Sequence, residues 1–302
     1  MNSFIRNSSD KKLIAIPAVV FVIAVLIIAG TYAMTGYPVK PGMDFVGGTQ
    51  FTVTVNGSNP ATSSDEAIRQ LFADYPLSDI RSSGDRINLQ FSFMDSDELM
   101  SVREIINSHF TDVEEKSVAP TYSADLQKKT LTAVLLSFVC MGIVVLIIFK
   151  QIVPAMLVLP TAISDIVIPI AFMNIFGIEL SLGTIAALLM LIGYSVDSDI
   201  LLQSKVLKRG GEVPDKISRS LQTGLTMTTT TICAFLVMYL VSTYMYLIIP
   251  SFPQITLLSQ ISLIILIGLL ADLMNTWLLH VGMLRKYTST AYYRRTSRRS
   301  QN

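Results

Sequence analysis

Ionisable side chains stand inside stretches of this chain that are otherwise apolar. They are Asp165, the pair Asp197 and Asp199, Asp272 and His280. A charged group at the centre of a membrane span costs on the order of 2.5–3.5 kcal/mol on insertion scales. A carboxyl group is tolerated there when it stays protonated, and one that is poised to lose its proton can act in a relay. The four aspartates are therefore candidates for proton or ion coupling.

Two of these aspartates are only two residues apart. Asp197 and Asp199 are separated by about 200° around a helix, so they face different ways. Gly193 shares the face of Asp197 and would let another helix approach closely. We favour Asp197 as the ion-linked residue, and we interpret Asp199 as a structural partner that pairs with Lys205.

Small and polar residues recur at helical spacing in the last two apolar segments. Hydroxyl groups there can bond to carboxylates or to bridging water. A second interpretation is that these groups only hold helices together, which we favour for the threonines and leave open for Asp272 and His280. The stripe in the sixth segment is Gly268, Asp272, Thr276 and His280, and the candidates for polar helix contacts are Gly193, Thr226, Thr230, Thr276 and His280.

The composition is that of a membrane protein. Of the 302 residues, 51% are hydrophobic and 15% are charged, whereas a soluble domain carries about 25% charge. This excludes a water-soluble enzyme and a disordered chain. The sequence has no Gly-x-x-x-x-Gly-Lys-Ser/Thr loop and no His/Cys cluster with metal spacing. We expect no enzymatic activity, no catalytic residues, no metal and no cofactor, although an intramembrane aspartyl protease using Asp165 and Asp197 stays open.

Six apolar segments reach the roughly 20 residues that a membrane helix needs. The first has an uncharged core longer than the roughly 7–15 residues of a signal peptide, so an uncleaved anchor is favoured over a signal sequence. The predicted spans are 13–34, 130–149, 152–176, 180–204, 221–249 and 254–284.

Basic residues are distributed unevenly between the two sides of these spans. They are concentrated in residues 1–12, in the link 205–220 and in the tail 285–302, which predicts that both termini are cytoplasmic. Residues 36–127 hold six Lys and Arg against fourteen Asp and Glu. We therefore place the region 38–127 outside the cytoplasm, where its acidity disfavours contact with nucleic acid.

The pattern of this outside region predicts a small α+β domain. Its order β-α-β-β-α-β is that of a ferredoxin-like fold. One glycosylation sequon begins at Asn56. The predicted strands are 50–55, 79–82, 86–93 and 113–119, and the predicted helices are 63–75, which starts with a Ser-Ser-Asp-Glu cap, and 96–110.

A motif directly after the first span resembles a known family. Residues 42–49 read Gly-Met-Asp-Phe-Val-Gly-Gly-Thr and are similar to the G-x-D-F-x-G-G-T signature of the SecD/SecF export-accessory membrane proteins. Further matches follow in order over the whole chain, at Ser164-Asp165, at residues 193–199 and in the Thr-rich fifth segment. The residues that match the signature at the domain base are Gly42, Asp44, Phe45, Gly47, Gly48 and Thr49.

The Gly-Tyr-Ser opening at residue 193 and the short outside domain look like the SecF branch. Bacterial members carry an Asn-Asp pair after this opening, where this chain has Asp197-Ser198 and then Asp199. The bacterial arginine ahead of the fifth-span threonines is replaced near Thr223. These departures, with the run Gly268-Leu-Leu-Ala-Asp272, look archaeal.

The resemblance implies a fold, partners and a function. The fold would be six transmembrane helices, half of a resistance-nodulation-division permease, with the extracytoplasmic domain between the first two. The partners would be SecD, the SecY/SecE channel, unfolded preprotein and the lipid bilayer of the cytoplasmic membrane. The function would be protein export driven by the proton or ion gradient. Two alternatives are a stand-alone permease half that exports a lipid or small molecule as a homodimer, and a purely structural stabiliser of SecD and the channel.

Overall fold

The computed structural model describes residues 10–54, 64–83, 86–150, 152–208, 213–248 and 255–289. Six of its helices are long and apolar enough to cross a membrane. The elements in chain order are α1 (Asp10–Thr35), α2 (Met43–Val46), β1 (Gly48–Thr54), α3 (Asp65–Leu71), β2 (Leu77–Ser83), β3 (Arg86–Phe91), α4 (Ser96–His109), β4 (Thr111–Val118), α5 (Pro120–Phe149), α6 (Ile152–Phe176), α7 (Leu182–Lys208), α8 (Val213–Ile248), α9 (Thr256–Met274), a π-helical turn (Asn275–His280) and α10 (Val281–Ser289).

Two of the spanning helices begin well before the apolar segments from which they were predicted. The second begins at Pro120 and the fifth at Val213, each several residues before the apolar run. Backbone groups in hydrocarbon must be paired within the helix, and the polar turns at these ends continue the same hydrogen-bond ladder. The sixth span is formed by α9, the π-helical turn and α10 in direct succession.

Three of the six spans form the centre of the bundle. Buried residues make up 50% of the most apolar stretch of α6, 56% of that of α7 and 44% of that of the sixth span, against 11–17% for α1, α5 and α8. The carboxyl groups that the sequence marks out all belong to these three central spans, so the interior of the bundle is the place where they can meet.

Glycines bring the central helices close together. A Cβ added at Gly268 in α9 would lie 2.2 Å from Leu191 of α7, and one at Gly224 in α8 would lie 2.4 Å from the ring of Trp277. The absence of a side chain at these two positions allows the close contacts, as is common between membrane helices. The sixth span is therefore packed tightly between α7 and α8.

The inserted domain has the predicted ferredoxin-like topology. Its four strands form one antiparallel sheet in the order β2-β3-β1-β4. Helices α3 and α4 cover one face and bury an apolar core that includes Phe51, Phe91, Ile68 and Ile106. The other face carries the alternating polar residues of β1 and β3, which follows from the period of two in a strand.

The helices of this domain begin with the expected caps. The Ser64 side chain accepts a hydrogen bond from the Ala67 backbone N–H at the start of α3, and Asp95 and Glu98 form a capping box at α4. Helix α3 ends at Leu71, earlier than predicted. The predicted sequon at Asn56 lies outside the described residues.

Two glycines of the base motif lie where backbone segments approach each other closely. Gly47 and Gly48 have φ of +83° and +127°, a region that residues with side chains rarely adopt. A Cβ at Gly48 would lie 2.2 Å from the carbonyl oxygen of Phe91, and one at Gly47 would lie 3.0 Å from the backbone of Pro120. Positive φ and close backbone approach therefore explain both glycines.

We predict that Gly48→Val prevents correct folding of the domain. The clash with Phe91 costs ~1–3 kcal/mol by overpacking, and the strained φ adds ~1–3 kcal/mol. The measurement is the yield of monodisperse protein by size-exclusion chromatography in mild detergent. Gly142→Val is the matched control, because a Cβ there meets nothing within 4 Å. Equal yields for the two variants would contradict this role of Gly48.

Candidate functional site

The first carboxyl group of the central cluster is supplied by α6. Asp165 is 1% exposed. Its Oδ2 accepts a hydrogen bond from the Ser195 hydroxyl of α7 at 2.5 Å, and its Oδ1 accepts one from the Asn275 side-chain amide at 2.6 Å. The same amide nitrogen lies 2.9 Å from Ser164 Oγ. Both carboxyl oxygens of Asp165 are therefore paired with donors from two other spans.

The second carboxyl group belongs to α7 and is fully buried. Asp199 Oδ2 accepts a hydrogen bond from the Thr161 hydroxyl of α6. Asp199 Oδ1 lies 3.1 Å from Thr276 Oγ1 and 2.9 Å from His280 Nδ1, both in the π-helical turn. All four of these side chains are completely buried. Asp199 thus joins α6, α7 and the sixth span.

The third carboxyl group is on the sixth span itself. Asp272 is 2% exposed, and its Oδ1 lies 3.2 Å from Thr276 Oγ1. One hydroxyl therefore contacts Asp272 and Asp199 together. On the far side of His280, its Nε2 lies 2.9 Å from Nε2 of the buried Gln203. The result is a continuous line of polar contacts from Asp272 to Gln203.

The π-helical turn Asn275–His280 places three of these side chains. Such wide turns are rare and occur mostly as single turns inside α-helices, often at functional sites. Asn275, Thr276 and His280 all lie within it and are all 0% exposed. The sequence stripe of Gly268, Asp272, Thr276 and His280 predicted one polar face, and the four residues do face the bundle interior.

Asp197 does not join this cluster. It is exposed on the surface of the bundle, and so is Gly193, where an added Cβ would meet nothing within 4 Å. The predicted pairing of Asp199 with Lys205 is wrong, because Asp199 points to Thr161, Thr276 and His280, whereas Lys205 Nζ donates to the Thr223 hydroxyl at 2.8 Å. Of the two aspartates, the one interpreted as structural is the one inside the cluster.

Two threonines of α8 that were predicted to make polar contacts between helices do not make them in the structure. Thr226 and Thr230 are exposed and donate to backbone carbonyls of their own helix, at Gln222 and Thr226. Thr228 is buried and accepts a hydrogen bond from the Tyr194 hydroxyl at 3.2 Å. In the described part of the chain these threonines therefore bind no carboxylate of the cluster.

Two amide side chains of the cluster escaped the sequence analysis. Asn275 and Gln203 are neutral, so a search for ionisable residues passes over them, although a buried amide in an apolar run is itself a signal. The described residues contain no group of three His, Cys, Asp or Glu side chains arranged to hold a metal ion. The cluster is built from hydroxyl, amide, imidazole and carboxyl groups, which is the chemistry of proton exchange.

The base motif attaches the inserted domain to α7. Asp44 Oδ2 accepts a hydrogen bond from the backbone N–H of Leu182 at the first residue of that helix, at 3.1 Å, and its Oδ1 pairs with Lys116 Nζ of β4 at 2.9 Å. The backbone N–H of Gly42 donates to the Leu180 carbonyl, where an added Cβ would lie 2.9 Å away. A carboxylate at a helix N-terminus is favourable for the helix dipole.

An ion-pair network reinforces the same attachment. Lys40 Nζ lies 2.9 Å from Asp79 and 3.0 Å from Glu179, and Arg81 lies 2.7 Å from Glu179. Glu179 belongs to the link before α7, so these pairs tie β2 to the bundle. Partial burial raises the pKa of Asp79, but Lys40 and Arg81 outweigh that effect and bring its pKa below the ordinary value of 3.8.

Burial by itself would lower the pKa of Lys40. The hydrogen bonds and charge interactions of Lys40 with Asp79 and Glu179 have a larger effect and raise this pKa. The net pKa of Lys40 is therefore above the ordinary value of 10.5. The pKa of Asp79 is lowered and the pKa of Lys40 is raised. Both groups are therefore charged, and the ion pairs persist, at every pH between 3.8 and 10.5.

Six apolar helices around a buried carboxyl cluster, with a ferredoxin-like domain inserted after the first, define a multi-pass membrane protein. Residues 99–290 match the family model described as protein export membrane protein SecD/SecF, C-terminal, and residues 32–58 match the SecD/SecF GG motif. The chain belongs to the SecD/SecF family. Its GG motif is the segment whose Asp44 binds the first residue of α7 and whose Gly47 packs against Pro120 of the second span.

Curated relatives and a solved structure agree with this assignment. The protein-export membrane protein SecF of Methanolacinia petrolearia is 40% identical over 94% of this chain and 95% of its own length. SecF of Pyrococcus furiosus is also 40% identical, over 92% of this chain and 90% of its own. The crystal structure of SecDF, a translocon-associated membrane protein from Thermus thermophilus, has the same fold, with a TM-score of 0.72 at 17% identity over 92% of this chain. This chain spans 38% of that longer polypeptide.

We predict that the attachment of the domain does not respond to physiological changes of pH. The stabilisation from Asp79 is present above pH 3.8 and is lost as the pH falls below that value. The stabilisation from Lys40 is present below pH 10.5 and is lost as the pH rises above it. Spin-label distances from the exposed Met100 to the exposed Ile175, with both native cysteines replaced by serine, should stay constant between about pH 5 and pH 9.

In the same labelled protein, Glu179→Gln should broaden the distance distribution at every pH, because both Lys40 and Arg81 lose a carboxylate. Glu66→Gln is the control, since Glu66 is exposed on α3. A distribution that broadens between about pH 6 and pH 8 without any substitution would contradict the pKa argument.

Proposed function

We propose that this chain is a SecF subunit that works with a SecD subunit to promote export of unfolded preproteins through the SecY/SecE channel. The family membership and the SecF relatives support this assignment. In this proposal the chain lies in the cytoplasmic membrane with both termini in the cytoplasm, as its basic residues indicate. Its inserted domain is extracytoplasmic, and its role is mechanical, without enzymatic chemistry.

The observation that carries the proposal is the buried cluster of Asp165, Asp199, Asp272 and His280. Three carboxyl groups inside a membrane bundle are costly, and such groups commonly mark proton or ion pathways. Because a proton changes the charge of the cluster, it changes the relative stability of two arrangements of the helices around it. We propose that the ion gradient acts on this cluster, and that α7 carries the change to the domain.

The exposed polar face of α7 and α8 supports a partner within the membrane. Asp197 and Gly193 of α7 and Thr226 and Thr230 of α8 are all exposed on spans whose other exposed residues are largely apolar. A carboxyl group facing lipid is unfavourable, so a protein surface of complementary polarity is expected to cover Asp197. The SecDF polypeptide is much longer than this chain, and we propose that a SecD subunit supplies the covering surface.

A structural role for the cluster is the second candidate. Both oxygens of Asp165 and both oxygens of Asp199 have partners, which also suits groups that only hold helices together. The coupling role and the structural role predict different effects of a substitution that removes a titratable proton from the cluster. In the structural case assembly and export fall together, whereas in the coupling case export alone slows.

We predict that Asp199→Asn slows release of exported precursor by roughly tenfold or more, the scale of a lost proton transfer, while the complex still assembles. Asparagine keeps the size and the acceptor oxygen but cannot titrate in this range. The measurement is pulse-chase export in cells that depend on the variant, with co-purification of partners as the test of assembly. Asp97→Asn, at an exposed position of α4, is the matched control.

The coupling role of the cluster is overturned if Asp197→Asn slows export while Asp199→Asn behaves like the parent. Equal losses of assembled complex and of export in Asp199→Asn would instead support the structural candidate. Recovery of the chain alone, as a homo-oligomer, would favour a stand-alone permease.

We predict that Gly193→Leu reduces SecD recovered with the tagged chain severalfold, because the added side chain fills the open space beside Asp197. Gly30→Leu is the control, since Gly30 is exposed on α1 and an added Cβ there also meets nothing within 4 Å. The readout is the ratio of the two subunits after purification from native membranes. An unchanged ratio would remove this face as the site of SecD contact.

A further inference from the structure

Thr276 is placed so that it cannot serve both of its carboxyl neighbours unless one of them carries a proton. Its Oγ1 is 3.1 Å from Asp199 Oδ1 and 3.2 Å from Asp272 Oδ1. A hydroxyl group has one hydrogen to donate. When it donates to one of these carboxyl groups, it can also accept from the other, provided that the second group is a carboxylic acid.

The surroundings of Asp199 decide which of the two is ionised. Besides Thr276, Asp199 faces the Thr161 hydroxyl and His280 Nδ1 at 2.9 Å. A carboxylate that accepts several hydrogen bonds is stabilised in its charged form. In the arrangement inferred below, the charge is therefore on Asp199, and Asp272 carries the proton and donates it to Thr276.

The neighbour of His280 decides which ring nitrogen is protonated. Gln203 Nε2 lies 2.9 Å from His280 Nε2, and an amide nitrogen can only donate. His280 Nε2 must then be the acceptor, so a neutral ring carries its hydrogen on Nδ1, which lies 2.9 Å from Asp199 Oδ1. Gln203 thus fixes the tautomer of His280, in the manner in which the second nitrogen of an imidazole generally does.

The other groups that face this part of the sixth span fit the same arrangement. From α6 and α7 come Thr161, Asp165 and Ser195; Asp165 is paired with Ser195 and Asn275, and the Ser195 hydroxyl also contacts Asp272. Helices α1 and α8 pack apolar side chains beside this stretch. They include Leu13, Ala24, Ile217 and Leu221. The cations Arg285 and Lys286 lie five and six residues beyond His280.

We infer that Thr276 is the hydroxyl bridge through which one shared proton passes between Asp272 and Asp199, and that Gln203 is a positioning residue that keeps the protonated Nδ1 of His280 beside Asp199. In the transfer, the O–H bond of Asp272 breaks as Thr276 accepts its proton. The original hydroxyl hydrogen of Thr276 passes to Asp199, so one proton leaves and one arrives. The hydroxyl of Thr276 reverses its direction and keeps one hydrogen throughout.

This inference deepens the proposed function, because it locates the proton in the same cluster, but its test does not depend on export. The experiment is infrared spectroscopy of the purified full chain in lipid vesicles at about pH 7, where exposed carboxyl groups with ordinary pKa values of about 4 are ionised. The expected result is a C=O band of a protonated carboxylic acid that disappears in Asp272→Asn and stays in Asp197→Asn.

Two variants separate the bridge from general packing. Thr276→Val keeps the shape and removes the hydroxyl, so the band of Asp272 should move to higher frequency as its hydrogen bond is lost. Thr276→Ser restores the hydroxyl and should restore the band. The proposed bridging role of Thr276 is overturned if the band survives Asp272→Asn unchanged. It is also overturned if the band does not respond to Thr276→Val in a protein that is still folded.

The inferred tautomer of His280 is tested by nitrogen magnetic resonance of the same protein labelled with ¹⁵N-histidine. The chain has only two histidines, so His109→Gln leaves His280 as the single source of signal. The expected spectrum at about pH 7 is that of a neutral ring with its hydrogen on Nδ1, and Gln203→Leu should change this tautomer. A ring protonated on Nε2 in the otherwise unaltered chain would overturn the positioning role.

If these spectra are as expected but Asp199→Asn exports normally, the proton arrangement stands and the proposed coupling fails. If export slows in Asp199→Asn but the Asp272 band is missing, the coupling stands and this proton arrangement fails. The two outcomes are therefore distinguishable.

Discussion

Carboxyl groups inside a membrane bundle must be protonated or hydrogen-bonded, and this requirement governs the arrangement of the central helices. Asp165, Asp199 and Asp272 come from three different spans, and each is contacted by a hydroxyl or amide from another part of the cluster. These contacts hold only if α6, α7 and the sixth span keep their relative rotation. The close approaches of helices at Gly268 and Gly224 maintain that rotation by packing.

Helix α7 is common to the two parts of the molecule. At its first residue, the N–H of Leu182 binds Asp44 of the GG motif, and further along, Ser195 and Asp199 belong to the buried cluster. The distance along the helix from residue 182 to residue 199 is about 26 Å at 1.5 Å per residue. Helix α7 therefore connects the buried cluster to the base of the domain without an intermediate element.

The difference between Asp197 and Asp199 shows where helical periodicity stops being informative. Spacing alone establishes that the two side chains point in different directions. It does not establish which direction is the inside, because a glycine beside Asp197 suits a contact within the chain and a contact with a second chain equally well. The bundle leaves Gly193 and Asp197 on its surface, where a partner subunit can reach them.

Hydropathy, charge and strand alternation were enough to predict six spans, an inserted ferredoxin-like domain and the stripe that includes Asp272, Thr276 and His280, because these properties repeat locally along the chain. Gly47 and Gly48 were identified by their match to the family signature, and the structure explains both by positive φ. The contacts between distant residues depend on how the spans pack together. This packing joins Asp199 to His280 and Asp165 to Asn275, pairs separated by 81 and 110 residues in the printed sequence, and it attaches Asp44 to Leu182. Such contacts depend on helix rotation and on a π-helical turn, and local sequence patterns contain neither.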